Sequence, residues 1–322
     1  MTQRRTLLLG ACLAACRPAW AANAKTPTPP RAGAAALGVY VGPGCRGVEQ
    51  LQPFVEWLGR RPDRGSDFFS DASWKELLKS VGRGTRCWQP VGLPMSFGLP
   101  MLPKDKSSTL AQGAKGDYDA HFREVGETLV AHGFGDAIVR PGWEFNHEWF
   151  AWSAKRDPRA WVAYWRRIVE TLRSVEGARF RFDWCVGWAD GKMNPADVYP
   201  GDDVVDIVGM DIYNVTWNPL TPTLRWAYKL NARYGLKWHR DFAAEHGKPM
   251  SYPEWGTGQR PDGRGGGDDP YFIRKMTAWI AENPVAYHNY WDYPARDFHA
   301  KLSDGSKPEA GEAFLKVYGG AR

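Results

Sequence analysis

The feature that most narrows the fold is a repeat of pattern: short β-branched or aromatic runs alternate with amphipathic helical stretches through nearly the whole chain. Strands are expected at Leu37–Val41, Asp67–Ser70, Val91–Ser96, Ala137–Trp143, Phe180–Val186, Val204–Tyr213, Pro249–Glu254 and Val285–Trp291. Between them, helices are expected at Val48–Leu58, Trp74–Val81, Asp117–His132, Pro158–Val175, Leu224–His246, Tyr271–Glu282 and Glu309–Val317. Asp117 and the pair Asp157-Pro158 carry helix-start chemistry, an acceptor for unpaired amides and a proline whose missing N–H is not needed in the first turn. Such alternation folds as a parallel sheet with helical crossovers. Eight units after residue 24 take about 37 residues each, the size of a unit in a (β/α)8 TIM barrel. The fifth crossover, near Pro195–Val198, is too short for a long helix. No shift in composition marks a second domain, so residues 37–322 read as one α/β barrel, with Gly263–Gly267 a flexible loop at its rim.

The amino-terminal segment reads differently. Residues 1–24 have a short basic start, an apolar stretch Leu7–Ala15 and then small residues, the pattern of a secretory signal peptide. Ala22-Asn23-Ala24 would release a soluble product, whereas Leu13-Ala14-Ala15-Cys16 looks like a lipobox that would leave a lipid anchor on Cys16; Arg4-Arg5 weakly resembles a twin-arginine signal. Residues 25–36, rich in Pro, Thr and Ala, read as a tether. An exported chain is therefore expected, periplasmic, extracellular or membrane-tethered. The formal charge of +6 falls to +3 without those 24 residues, and no Lys/Arg run interleaves with aromatics, so no nucleic-acid partner is expected. No later segment offers the roughly 20 apolar residues of a membrane helix. Of the cysteines beyond the signal, Cys45, Cys87 and Cys185, either two pair and one stays free or all three are buried thiols.

In a barrel of this kind, chemistry sits at the carboxyl ends of the strands. Strand four ends in Arg140-Pro141-Gly142-Trp143-Glu144-Phe145-Asn146 and strand seven in Tyr252-Pro253-Glu254-Trp255-Gly256. Each delivers one glutamate among aromatic rings, and the two are 110 positions apart, three repeats of about 37. Two carboxyls facing each other across a barrel mouth are what glycoside hydrolysis needs, one to protonate the leaving oxygen and one to attack the anomeric carbon. Trp149, Trp152, Trp188, Trp217, Trp255 and Trp291 fall at strand ends or in loops, where a flat apolar ring can stack on a pyranose, and 17 tryptophans exceed what a core of this size needs.

The stretch Tyr199-Pro200-Gly201-Asp202-Asp203-Val204-Val205-Asp206-Ile207-Val208-Gly209-Met210-Asp211-Ile212-Tyr213-Asn214 resembles the strand-six signature of glycoside hydrolase family 26, a family of retaining (β/α)8 glycosidases. Arg140 through Trp152 resembles its acid/base segment and Pro253-Glu254-Trp255-Gly256 its nucleophile segment. The resemblance spans Leu37 to about Tyr293 and implies Glu144 as acid/base, Glu254 as nucleophile, Tyr213 as a hydrogen-bond donor to the nucleophile and Trp291 as the floor of the sugar site. Arg140, Trp143, Asn146, Trp149, Trp188 and Trp255 complete the expected substrate-binding set. Many members have histidine where this chain has Trp143, which donates one hydrogen bond and accepts none, and that departure bears on substrate choice.

Blander assignments compete. Glu144 could be a structural carboxylate paired with Arg140, Glu148 is a rival acid in the same segment, and Asp211 suits orienting substrate better than catalysis. His147 and His288 could touch substrate or merely be solvated. Seven histidines without an H-x-x-x-H pattern, and no phosphate-binding glycine loop after a strand, lead us to expect no metal and no cofactor. The expected protein is a monomeric β-glycoside hydrolase acting on polysaccharide, β-1,4-mannan first, with β-glucan, a bacterial exopolysaccharide, or a non-catalytic glycan-binding barrel as alternatives.

Overall fold

A computed structural model describes residues 35–188 and 193–321; the expected signal segment, Cys16 and nearly all of the expected tether lie outside them. Eight strands form one closed, all-parallel barrel in chain order, β8 pairing back onto β1. They are β1 (Ala36–Tyr40), β2 (Arg64–Phe68), β3 (Met95–Leu99), β4 (Ile138–Pro141), β5 (Arg181–Gly187), β6 (Ile207–Tyr213), β7 (Met250–Gly256) and β8 (Val285–Trp291). Around them run α1 (Gly44–Leu58), α2 (Trp74–Trp88), α3 (Leu110–Lys115), α4 (Asp119–Ala131), α5 (Pro158–Arg173), α6 (Pro222–Asn231), α7 (Leu236–Glu245), α8 (Pro270–Glu282) and α9 (Pro308–Tyr318). No helix among the described residues is long and apolar enough to cross a membrane.

Local chemistry explains the helix starts. Asp157, Thr221 and Asp269 each accept a backbone N–H at the start of α5, α6 and α8, and a proline follows each of them. Asp117 does not act as a cap: Thr109 caps α3 first, and α4 begins at Asp119 after Tyr118. The long helix expected over Leu224–His246 is two helices. Between them, a side chain on Gly235 would sit 2.3 Å from the Lys229 carbonyl oxygen, so the chain turns back too tightly for helix to continue. The fifth crossover carries only the short 3-10 turn Pro195–Val198.

Much of the aromatic surplus is packing. Trp88, Trp152, Trp161, Trp165, Trp184 and Trp255 are fully buried, and Trp152 spends its indole N–H on the Trp143 carbonyl. Trp161 packs on Phe145 and Trp184 on Phe242, in the layer between barrel and helices.

Inside the barrel, above a small apolar cluster of Ile138, Ile207 and Tyr287, the filling is largely polar. Asp183 accepts from Ser251 and Tyr287, Arg64 lies 4.6 Å over the Tyr287 ring, and Asn289 donates to Ser96 and to the Pro253 carbonyl. Glycines provide the room: a Cβ on Gly38 would lie 1.8 Å from the Asn289 amide oxygen, and one on Gly209 would lie 2.2 Å from an Asp183 oxygen.

Cys45 and Cys87 form a disulfide, and Cys185 is a buried free thiol. The bond ties the start of α1 to the end of α2, where Gly44 N–H and the Trp88 indole both donate to buried Asp67 of β2. Closing a loop with a sequence separation of 42 restricts the unfolded chain, so Cys45→Ser/Cys87→Ser should lower the unfolding free energy by about 4 kcal/mol. Denaturant titration of wild type and variant checks this.

Candidate active site

The carboxyl ends of the strands open into one cleft of about 840 Å³. Glu254 of β7 reaches its floor. Pro253 cannot donate to the ladder, and the β7–β8 register shifts between Tyr252 and Trp255, a local irregularity next to the residue that must face inward. One carboxylate oxygen accepts from Arg140 Nη2 at 2.9 Å and the other from the Tyr213 hydroxyl at 2.7 Å. The same Arg140 nitrogen donates to Asp211 of β6, and both arginine and aspartate are buried. Arg140 thus pairs with Asp211 and Glu254 rather than with Glu144.

Glu144 sits just beyond β4 in a tight turn. Its φ is +52° and that of Gly142 is +59°, a left-handed backbone that costs a non-glycine residue on the order of 1 kcal/mol or more. Glu144 N–H donates to the Cys185 carbonyl at 2.9 Å, and Asn146 exchanges two hydrogen bonds with the backbone of Gly187. The turn is therefore clamped onto β5. Gly187 is needed there, because a Cβ would lie 3.0 Å from Glu144 and 2.3 Å from His147. The Glu144 side chain is about 16% exposed, and its carboxyl is pushed up from its ordinary 4.5 to about 8, first by burial and then by the nearby Glu254 charge. Both glutamates are largely withdrawn from water, but Glu254 receives two hydrogen bonds at short range, whereas Glu144 has the His147 ring nitrogen at 4.0 Å.

Aromatic side chains form the walls. Trp143, Trp149, Trp188, Tyr213 and Trp291 all line the cleft, as does Trp217. Trp291 lies flat against Tyr40 at 4.1 Å, and Trp149, which is 69% exposed, stacks on His147 at 4.0 Å. Two members of the expected substrate-binding set lie elsewhere. Arg140 is fully buried beneath the floor, and Trp255 points outward between the barrel and α8 and α9, against Phe272 and Phe314. Strand alternation explains Trp255: Glu254 faces in, so its neighbour faces out. Asn146 reaches the wall with both ends of its amide committed to Gly187. Of the rival groups, Glu148 lies at the rim, 74% exposed and paired with Lys155, and His288 is buried behind Trp255. Tyr40, Phe68 and Asp297 also line the cleft; Tyr40 and Phe68 end β1 and β2, and that position at a strand's carboxyl end is the sequence signal for them.

The model of glycosyl hydrolase family 26 matches residues 136–237, which run from just before β4 into the start of α7. The matched segment contributes Arg140, Glu144, Asp211 and Tyr213 to the site, while Glu254 follows it. The chain is also 24% identical over 284 residues to a mannan endo-1,4-beta-mannosidase of Bifidobacterium adolescentis, covering 80% of this chain and 28% of that protein. In fold it resembles a family 26 β-mannanase of Bacteroides ovatus, with a TM-score of 0.62 at 17% identity over 88% of each chain. It also resembles the catalytic domain of an endo-β-1,4-mannanase from Bacillus sp. JAMB-750, with a TM-score of 0.63 at 19% identity over 88% of this chain and 84% of that one.

The charge on Glu144 gives a titration to measure. Because its folded value lies above 4.5, the folded protein keeps a proton that the unfolded chain releases, and this group's contribution to stability declines as pH rises from about 4.5 to about 8. The Glu144 carboxyl carbon signal should titrate near pH 8, and lower in Glu254→Gln, which removes the neighbouring charge. Titration near 4.5 in both proteins would show that Glu144 is solvated like any surface carboxyl.

Proposed function

We propose that this chain is a retaining β-glycoside hydrolase that cleaves a polysaccharide, β-1,4-mannan being the first substrate class. The observation that carries the reading is the contrast between two glutamates in one cleft: Glu254 is held by Arg140 and Tyr213, while Glu144 is shielded and shifted to hold a proton at neutral pH. A nucleophile must be a carboxylate with its attacking oxygen oriented, and a general acid must keep its proton until the leaving oxygen needs it. Glu254 attacks the anomeric carbon as Glu144 protonates the departing oxygen; Glu144, then a carboxylate, takes a proton from water, which frees the sugar with its configuration retained. Tyr213 orients the nucleophile, Trp291 and its Tyr40 backing form a flat floor for the ring, and Trp143, Trp149 and Trp188 provide the walls. The family match and the mannanases that the chain resembles support both the reaction and the polymer.

Release of reducing ends from β-1,4-mannan, mixed-linkage β-glucan and acidic exopolysaccharides tests enzyme and substrate together. Activity on mannan, declining as pH rises through about 8, is expected; no release from any polymer would leave a glycan-binding barrel. The first-formed product should be the β anomer by proton NMR, and an α anomer would mean inversion.

The glutamates separate by role. Glu254→Ala should be inactive even on an aryl glycoside whose phenolate leaves unaided, whereas Glu144→Ala should still form the glycosyl-enzyme from that substrate and stall there for want of a base. Azide should restore turnover of Glu144→Ala and give a β-glycosyl azide. Rescue of Glu254→Ala with an α-azide product would reverse the assignment.

A further inference from the structure

Behind the cleft wall lies a cation that the hydrolytic mechanism does not use. Lys229, on α6, is 1% exposed, and lysine is among the residues least often buried without a partner. Its Nζ donates to the Val215 carbonyl in the loop after β6 at 2.9 Å and stands 3.9 Å from the centre of the Trp188 ring. No carboxylate lies within ion-pair distance of it among the described residues. Asp269 is occupied by Arg225, one turn earlier on the same helix, at 2.8 Å, and by the Asn214 amide at 2.9 Å. Burial, and then the Arg225 charge, lower the Lys229 ammonium from 10.5 to about 7, and the carbonyl and the indole face are its partners among the described residues.

Both groups that Lys229 grips belong to the cleft. Trp188 and Val215 line it, and the Trp188 backbone N–H is already tied to the Asp211 carbonyl at 2.8 Å. Tyr228, next to Lys229 on α6, meets the Trp188 ring edge to face at 5.7 Å. A methionine would fill the lysine's place without desolvating a charge, and replacing a buried charge by an apolar group of similar volume is often neutral or stabilising. Stability alone therefore does not account for the lysine. Resting on the reading of the cleft as a sugar site, we infer that Lys229 is a positioning residue for substrate: from behind, its ammonium holds the Trp188 indole and the Val215 backbone in the wall against which a sugar ring packs.

Calorimetric binding of β-1,4-mannohexaose to Glu254→Gln protein, with and without Lys229→Met, tests this alongside thermal melting. Lys229→Met should bind about fivefold more weakly without a lower Tm, and in a Trp188→Ala background it should cause no further loss. A role confined to folding would instead lower Tm, and an equal loss of affinity in the Trp188→Ala background would overturn the assignment. Independently of any sugar, the heteronuclear NOE of the Trp188 indole N–H should fall in Lys229→Met; an unchanged signal would also overturn it. If Glu254→Gln protein with Lys229 intact bound no hexaose while the Trp188 signal still moved, the sugar reading of the cleft would fail and with it the role toward substrate, whereas the hold of Lys229 on Trp188 would stand.

Discussion

Arg140 is a cation sealed inside a barrel, and the upper half of the structure is arranged to make that tolerable. Isolated in a low-dielectric interior, a guanidinium is costly enough that carboxylates must be brought to it. Asp211 from β6 and Glu254 from β7 meet one of its nitrogens, so a single side chain on β4 draws three strands into a fixed relation at the mouth. The layer below follows the same rule on a smaller scale, with Asp183 satisfied by Ser251 and Tyr287. Such a core fits only where backbone gives way, and Gly38 and Gly209 are the places where it does.

That buried pairing is also what makes the cleft asymmetric. Two carboxyls on one fold can take different protonation states only if their surroundings differ. Glu254 has Arg140 and Tyr213, whereas Glu144 is perched on a left-handed turn, has His147 at 4.0 Å and feels the charge of Glu254. The backbone strain at Glu144 is sustained by its own N–H on Cys185 and by the Asn146 clamp on Gly187, so the β4–β5 contact holds this carboxyl in place. Lys229 extends the same logic to the wall, where a buried cation backs an aromatic ring.

Legibility from sequence varied with the range of the interaction. β8 lies at Val285–Trp291 as its pattern predicts, because an alternating run between turn residues is a local property. The β3 expectation, Val91–Ser96, falls early, since Gln89–Val91 continues α2 as a 3-10 turn before the strand starts at Met95. Trp291 and Trp255 looked equivalent as aromatic residues at strand ends, yet one lines the cleft and the other packs under α9, a distinction of strand facing that a bulge beside Pro253 helps to set. Arg140 is expected at the substrate, with a pairing to Glu144, two alternations away, as the blander alternative, but the closing barrel brings β6 and β7 to it.

The sequence by itself determined the number and order of βα units, the helix start at Asp157, and the two strand ends that carry Glu144 and Glu254, because periodicity, capping and strand boundaries are written in neighbouring residues. Only the tertiary structure decided that Cys45 pairs with Cys87, that Arg140 serves Asp211 and Glu254, that Trp255 is core, and that Lys229 stands behind Trp188. Those choices depend on barrel closure and on which groups lose water together, and residues 41 to 114 positions apart acquire a common environment only once the chain has folded.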